Sequence, residues 1–182
     1  TRPVLDDIIR FFPATLELAT IATFFGVILG IPMGVLAAVN QGRLIDHVIR
    51  IIGLFGYSVP IFWLGMVALL VFYAALGWLP GPGRIEVYYD GIVEARSGII
   101  LIDSALQGEW EIFWNALHHL VLPSAMLATF ALAYIARMTR SFMLDQLNQE
   151  YILTARVKGL SESAVIWRHA FRNVLVQLIT II

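Results

Sequence analysis

Few side chains in this 182-residue chain have the type and spacing for covalent or acid–base chemistry. His118 and His119 are the first candidates, because imidazole titrates near neutrality and readily binds metals. They are adjacent, so on a helix they point about 100° apart and cannot both meet one ion. No HExxH pattern and no histidine four residues further on accompanies them, which leaves interfacial hydrogen bonding as the plainer reading. The absence of cysteine excludes disulfide scaffolds, thiol catalysis and cysteine-ligated metals. The glycines of GPGR at 81–84 cannot form a phosphate-binding loop, since GxxxxGK[ST] is absent throughout, and GxSxG is absent as well. ATP hydrolysis and serine hydrolysis are therefore not expected of this chain. Glu17 is the one carboxylate near the start of the first long apolar run. An ionisable group at membrane depth is a functional candidate, while one turn after Pro13 the same carboxylate complements the positive end of a helix dipole.

The elements that must position these residues are set by hydropathy. Hydrophobic residues make up 59% of the chain and charged residues 14%, against about 25% charged in a soluble domain. Mean hydropathy is +0.81. No Asp, Glu, Lys or Arg occurs from Leu18 to Gly42, from Ile51 to Gly83, or from Ile112 to Ala136. Each block exceeds the roughly 20 residues that cross a hydrocarbon core of about 30 Å, so the chain reads as an all-α membrane protein with spans near 13–39, 51–76 and 114–136. The closing apolar run, Val174 to Ile182, rises only about 14 Å at 1.5 Å per residue and reads as the start of a fourth span. With Thr1 in place of a start methionine, the chain reads as an internal piece of a longer protein.

Within the spans, Gly26, Gly30 and Gly34 recur every four residues and offer a side-chain-free stripe for helix packing. Pro13 suits a helical first turn, and Pro32 and Pro123 fall inside their spans. Tyr57, Ser58, Val59 and Pro60 place a helix breaker near mid-membrane, where freed carbonyls need another partner. Tyr57, Ser58 and Pro60 are thus the first candidates for a translocation pathway and Glu17 the second; a packed kink is the rival reading. Residues 77–113 form an extramembrane loop rich in acidic residues, in which Asp103 suits a helix cap and Gly108 a helix stop.

The segment 137–173 is basic. Together with the Asn40 to Arg50 loop on the same face it holds eight Lys or Arg, against two in the opposite Gly77 to Asn115 loop. The positive-inside rule places the basic face in the cytoplasm and the acidic loop outside. Trp78, Trp110 and Trp114 on one side and Trp167 on the other fit interfacial belts. In EYILTARVKGLSESAVIWRHAFRNVL, Glu150 to Lys158 suits a short helix, Gly159 a left-handed stop and Ser161 the cap of a second helix. Helix, glycine turn, helix is a shape for docking against another protein, and Thr154, Ala155 and Gly159 keep the turn small. A net charge of −1 gives no support to a nucleic-acid partner.

This last segment resembles the EAA loop of ABC-importer permeases, in the version typical of dipeptide, oligopeptide, nickel and glutathione permeases. Leu153, Thr154 and Ala155 stand where the family motif has Glu-Ala-Ala, Gly159 is the motif glycine, and His169 and Asn173 fall where the subfamily has RHAxRN. FFPATLELA, GIPMGVLAA, YSVPIFWLG, LGWLP, LIDSALQGEW, NALHHLVLPS and RMTRSFML are similar to the peptide-permease pattern in the same order, over nearly the whole chain. Two positions depart from it: Leu153 replaces the residue, often Arg, usual before Thr-Ala, and Gln177 stands where proline commonly follows the loop.

The resemblance implies a type I ABC-importer transmembrane domain, covering helices two to four of about six and the start of the fifth. It implies a coupling loop of Tyr151, Leu153, Thr154, Ala155, Lys158, Gly159, Ser161, His169 and Asn173. It also implies the bacterial inner membrane as location, and as partners a second homologous permease, two cytoplasmic ATPase subunits that hold ATP and Mg, and a periplasmic solute-binding protein. No cofactor or metal is expected on this chain. A secondary transporter would want coupling carboxylates or unwound helices at mid-membrane, and an intramembrane enzyme a converging nucleophile and base; the spans offer only Glu17. The charge asymmetry predicts that a cysteine at Ser97 in the full-length protein reacts with an impermeant maleimide in intact spheroplasts. Labelling only after lysis would invert the topology.

Overall fold

A computed structural model describes residues 4–181; Thr1 and Ile182, at the two ends of the sequence, lie outside them. All regular structure among the described residues is helical. Helix α1 is Val4–Val39, α2 Leu44–Ser58, α3 Ile61–Ala68, α4 Ile100–Gln107, α5 Trp110–Leu147, α6 Glu150–Val157 and α7 Phe171–Ile181, with π-helical turns at Leu69–Ala75 and Ala164–Ala170. Contacts divide the chain into two compact units: the chain up to Phe24 with Val59–Ala128, and Phe25–Ser58 with the chain from Thr129. Helices α1 and α5 each contribute to both.

Three boundaries differ from the hydropathy reading, each for a local reason. Helix α1 starts at Val4 and contains Pro13, because Asp6 and Asp7 supply the acidic first turn that a helix N-terminus favours. The second apolar block forms two helices: α2 ends at Ser58 and α3 begins after Pro60, whose φ of −59° and ψ of 128° are extended. A residue that precedes proline is disfavoured in the α region; α1 and α5 run on through Pro13, Pro32 and Pro123, whereas here the helix stops at Ser58 and restarts after Pro60. Helix α5 runs on past the apolar block to Leu147, since no glycine or proline occurs between Pro123 and Gly159. Among the described residues α1 and α5 are long and apolar enough to cross a membrane, and the α2–α3 pair makes a third crossing if its two halves are taken as one broken span. Large apolar side chains such as Phe24, Phe55, Phe62 and Leu70 are exposed, as suits faces turned to lipid or to other membrane helices rather than to water.

In the first unit the acidic segment folds back on α1 and α5. Gly77 ends the π-helical turn with a φ of +61°, the Glu86 N–H donates to Asn115 Oδ1 at 3.0 Å, and α4 stops at Gly108. Asp103 is not the cap residue, a position held by Ile99; it sits in the first turn of α4 and reaches back to the preceding loop.

In the second unit the stripe Gly26, Gly30, Gly34 lies against α5. A Cβ at Gly26 would meet the Ala131 Cβ at 2.6 Å, one at Gly30 the Ile135 Cβ at 3.1 Å, and one at Gly34 the Thr139 Cβ at 2.5 Å and the Ala136 carbonyl at 2.6 Å. Beyond this seam Val35 and Ala38 of α1 and Met143 of α5 share one core with Ile152 and Ala155 of α6, Val165 and Ala170 of the π-helical turn, and Val174 and Leu178 of α7. Gly34 is the tightest point, where the obstacle is partly backbone and cannot rotate away. Gly34→Leu is expected to lower the thermal midpoint of the full-length protein, through an overpacking cost of about 1–3 kcal/mol. Gly53→Ala, whose Cβ meets nothing within 4 Å, is the control and should leave the midpoint near wild type. An unchanged midpoint for Gly34→Leu would refute the close approach.

Candidate functional site

The basic helix–turn–helix is built as one inward and one outward face. Helix α6 buries Ile152 and Ala155, three residues apart, in the shared core; truncating a buried isoleucine of this kind to alanine costs roughly 2–5 kcal/mol. The opposite side shows Leu153, 63% exposed, and Val157, 80% exposed, four residues apart. Thr154 and Lys158 are exposed beside them, with the Thr154 hydroxyl returned to the Glu150 carbonyl at 3.0 Å. The helix stops at Gly159, whose φ is +81°. The Gly159 N–H donates to the Arg156 carbonyl at 2.9 Å and the Leu160 N–H to the Ala155 carbonyl at 3.3 Å. These are the two bonds of a Schellman stop, which needs a left-handed residue where they meet. A β-branched residue is strained in that conformation.

Tyr151, Asn173 and Ser161 act as braces. The Tyr151 hydroxyl donates to Gln146 Oε1 at 2.8 Å and accepts from Asn173 Nδ2 at 3.0 Å, so Tyr151 and Asn173, 22 residues apart, meet across the turn. Ser161 Oγ accepts the Ala164 N–H at 3.4 Å, and His169 is half-buried. Sequence reasoning had not singled out Ile152, Val157 and Leu160, or the ion pair in which Arg156 Nε donates to Glu162 Oε1 at 2.9 Å. The apolar spacing along α6 carried the signal for the first two; nothing in the sequence announces a pair formed across a glycine turn.

The pathway candidates have these surroundings. Tyr57 meets the Phe130 ring edge-on, with centroids 5.2 Å apart, and the Arg137 guanidinium lies 5.0 Å over the Tyr57 ring. Ser58, at the end of α2, and Pro60, ahead of α3, are exposed. Glu17 is 5% exposed, accepting from Arg84 Nη2 at 2.8 Å and from the Leu101 N–H at 3.0 Å; its carboxylate fastens α1 to the acidic segment. His119 Nδ1 donates to the Asn115 carbonyl at 2.9 Å. No group of three or more candidate metal ligands occurs among the described residues.

The long apolar helices, joined by a seam of glycines, define a helical membrane component, and comparison with known proteins makes the class specific. A family model described as "Binding-protein-dependent transport system inner membrane component" matches residues 30–182. The chain belongs to this family, and its fold is that of a type I ABC-transporter transmembrane domain. The di/tripeptide transport system permease protein of Pseudomonas aeruginosa (strain UCBPP-PA14) is 44% identical over 178 residues, covering 98% of this chain and 52% of that protein. The probable D,D-dipeptide transport system permease protein of Escherichia coli (strain K12) is 44% identical over 181 residues, 100% of this chain and 53% of that protein. The dipeptide transport system permease protein of Alkalihalophilus pseudofirmus is 36% identical over 181 residues, 100% and 54% respectively. The chain thus spans about half the length of the curated relatives it matches.

Asp103 organises the segment that Glu17 grips. Its carboxylate accepts from the N–H groups of Arg96, Ser97 and Gly98 and from the Ser97 hydroxyl, at 2.9 to 3.2 Å. Burial alone pushes this carboxyl up, but those donors favour the anion and hold it below the ordinary Asp value. A carboxyl with a depressed folded-state pKa stabilises the fold fully above its unfolded pKa, about 3.9, and loses that contribution as pH falls through the folded value. Hydrogen-exchange protection at Ser97 and Gly98 should therefore hold from pH 7 down to about 5 and fail only below about 4. Loss already near pH 6 would show that the carboxylate is not what holds this turn.

Proposed function

We propose that the chain is part of a permease subunit of an ATP-driven ABC importer in the bacterial inner membrane. It moves peptides or a related small solute, such as a dipeptide, an oligopeptide, glutathione or a nickel complex. The observation that carries the reading is the two-faced α6: Ile152 and Ala155 anchor it to the ends of α1 and α5, while Leu153 and Val157 stand outward. A short helix presented this way docks in a groove through a few apolar anchors. The identity to permeases named for di- and tripeptides supports the solute class.

In this reading the groove belongs to an ATPase subunit that binds ATP and Mg and performs the hydrolysis. A second homologous permease, two such ATPases and a periplasmic solute-binding protein complete the transporter, with residues 77–113 outside and 137–173 in the cytoplasm. Alternating access follows from differential binding: ATP favours one arrangement of the membrane helices, and its hydrolysis releases them to the other. Tyr57, Ser58 and Pro60 remain the proposed pathway residues, with Glu17 second. The break between α2 and α3 frees helix-end carbonyls, and a peptide that leaves water with unpaired polar groups loses roughly 2–7 kcal/mol for each.

The Gly159 turn provides the test. Gly159→Val strains the positive φ while leaving the spans intact, so the full-length transporter should still assemble in the membrane and hydrolyse ATP. Solute uptake per ATP should fall about tenfold or more, within the usual range of coupling factors. Uptake at the wild-type ratio would remove the turn from the mechanism.

A further inference from the structure

The glycine seam of the second unit holds its helices by packing. Gly26, Gly30 and Gly34 let α1 and α5 approach closely, with Ala131, Ile135 and Thr139 of α5 seated at the three glycines, but these van der Waals contacts carry no charge-assisted, directional bond between the helices. Asp46, in the first turn of α2, is 1% exposed. Its Oδ1 accepts from Arg140 Nε at 2.6 Å and its Oδ2 from Arg140 Nη2 at 2.8 Å. The same Oδ2 accepts the Gly42 N–H at 3.0 Å, so the carboxylate is also tied to the turn between α1 and α2.

A buried ion pair is a poor way to gain stability, because apolar residues of the same volume often do as well or better. Its distinctive property is geometric. Two parallel bonds between a planar guanidinium and a carboxylate are made at one distance and one orientation only. Along α5, Arg140 follows Thr139, which abuts Gly34, and precedes by three residues Met143, which packs in the core that holds Ile152 and Ala155 of α6. The pair therefore sits between the glycine seam and the seat of the proposed coupling helix.

We propose that Asp46 and Arg140 are positioning residues that pin the register of α5 on the α1–α2 turn. A load on α6 then moves α1, α2 and α5 as one body. This rests on the importer reading above and adds to it the element that keeps the load from being lost as slip. Without the pin, ATP turnover continues while the membrane helices follow it poorly.

The test uses the full-length permease assembled with its partner subunits in proteoliposomes, with dialanine as the probe solute and uptake and ATP hydrolysis measured together. Asp46→Asn should assemble and hydrolyse ATP, with dialanine moved per ATP reduced about tenfold, well inside the 5–150-fold range of ordinary coupling. Arg140→Gln should match it, and the double variant Asp46→Asn/Arg140→Gln should be no worse than either single variant, because residues that act as a unit are not additive. Arg140→Lys keeps the charge but loses the fork and should fall between wild type and Asp46→Asn; it carries the test if the neutral variants do not assemble. A wild-type ratio in Asp46→Asn or Arg140→Lys, or additive losses in the double variant, would overturn the pin. Failure of the wild-type assembly to move dialanine, an oligopeptide, glutathione and a nickel complex alike at the expense of ATP would instead overturn the importer reading.

Discussion

The close approach of α1 to α5 is the constraint on which the second unit depends. Helices in a bilayer gain no hydrophobic free energy by meeting each other, because lipid tails are as apolar as the side chains they replace, so dispersion contacts and polar links must hold them. A separation at which a Cβ on Gly34 would lie 2.5 Å from that of Thr139 maximises those contacts and brings the ends of both helices within reach of one core. Val35, Ala38 and Met143 then form the surface on which Ile152 and Ala155 sit. A bulkier stripe on α1 would hold the helices apart and leave α6 with no seat.

In the proposed topology the basic segment lies outside the hydrocarbon, where the forces change character. With water around it, burying Ile152, Val165 and Val174 (all 0% exposed) gains the full hydrophobic contribution, roughly 1.5–3 kcal/mol for a side chain of this size. That burial holds a helix of only 8 residues, which would not persist alone in water. Its stop at Gly159 and the Tyr151–Asn173 brace then fix its direction. Rigid attachment on one face and exposed Leu153 and Val157 on the other are both required if a partner's movement is to be passed on rather than absorbed.

Much of this was legible in the sequence because the signals were periodic or compositional. Charge-free blocks marked the apolar helices, four-residue glycine spacing marked the seam, and Gly159 between two helical patterns marked the turn. The parts that were not legible depend on meetings between distant residues. Arg140 lies 94 positions from Asp46, and neither residue carries any mark that distinguishes it from its neighbours on the basic face. Glu17 left two readings open, a functional carboxylate at membrane depth or a complement to a helix dipole starting at Pro13; α1 starts at Val4, which removes the second, and neither foresaw an arginine 67 positions away. Asp103 looked like a cap because caps are read from local spacing, whereas its four donors come from a loop whose path no periodicity describes. The broken second span was visible as Pro60, but whether a proline bends a helix or ends it depends on what satisfies the freed backbone.

The three buried carboxylates among the described residues share a physical role that explains why they are tolerated near the membrane. Glu17, Asp46 and Asp103 are each at most 5% exposed, and each accepts from at least one backbone N–H as well as from a side chain. An isolated buried carboxylate would be costly, whereas one that gathers several donors offsets its desolvation and fastens chain segments that hydrophobicity alone would leave free. Glu17 fastens α1 to the acidic segment, Asp103 closes the loop before α4, and Asp46 ties a turn to α5. Such bonds are directional where apolar packing is not. In the proposed importer, where helices shift as bodies, directional fasteners at the helix ends and close packing along the shafts divide the work: packing brings the helices together, and the fasteners decide which segments move together.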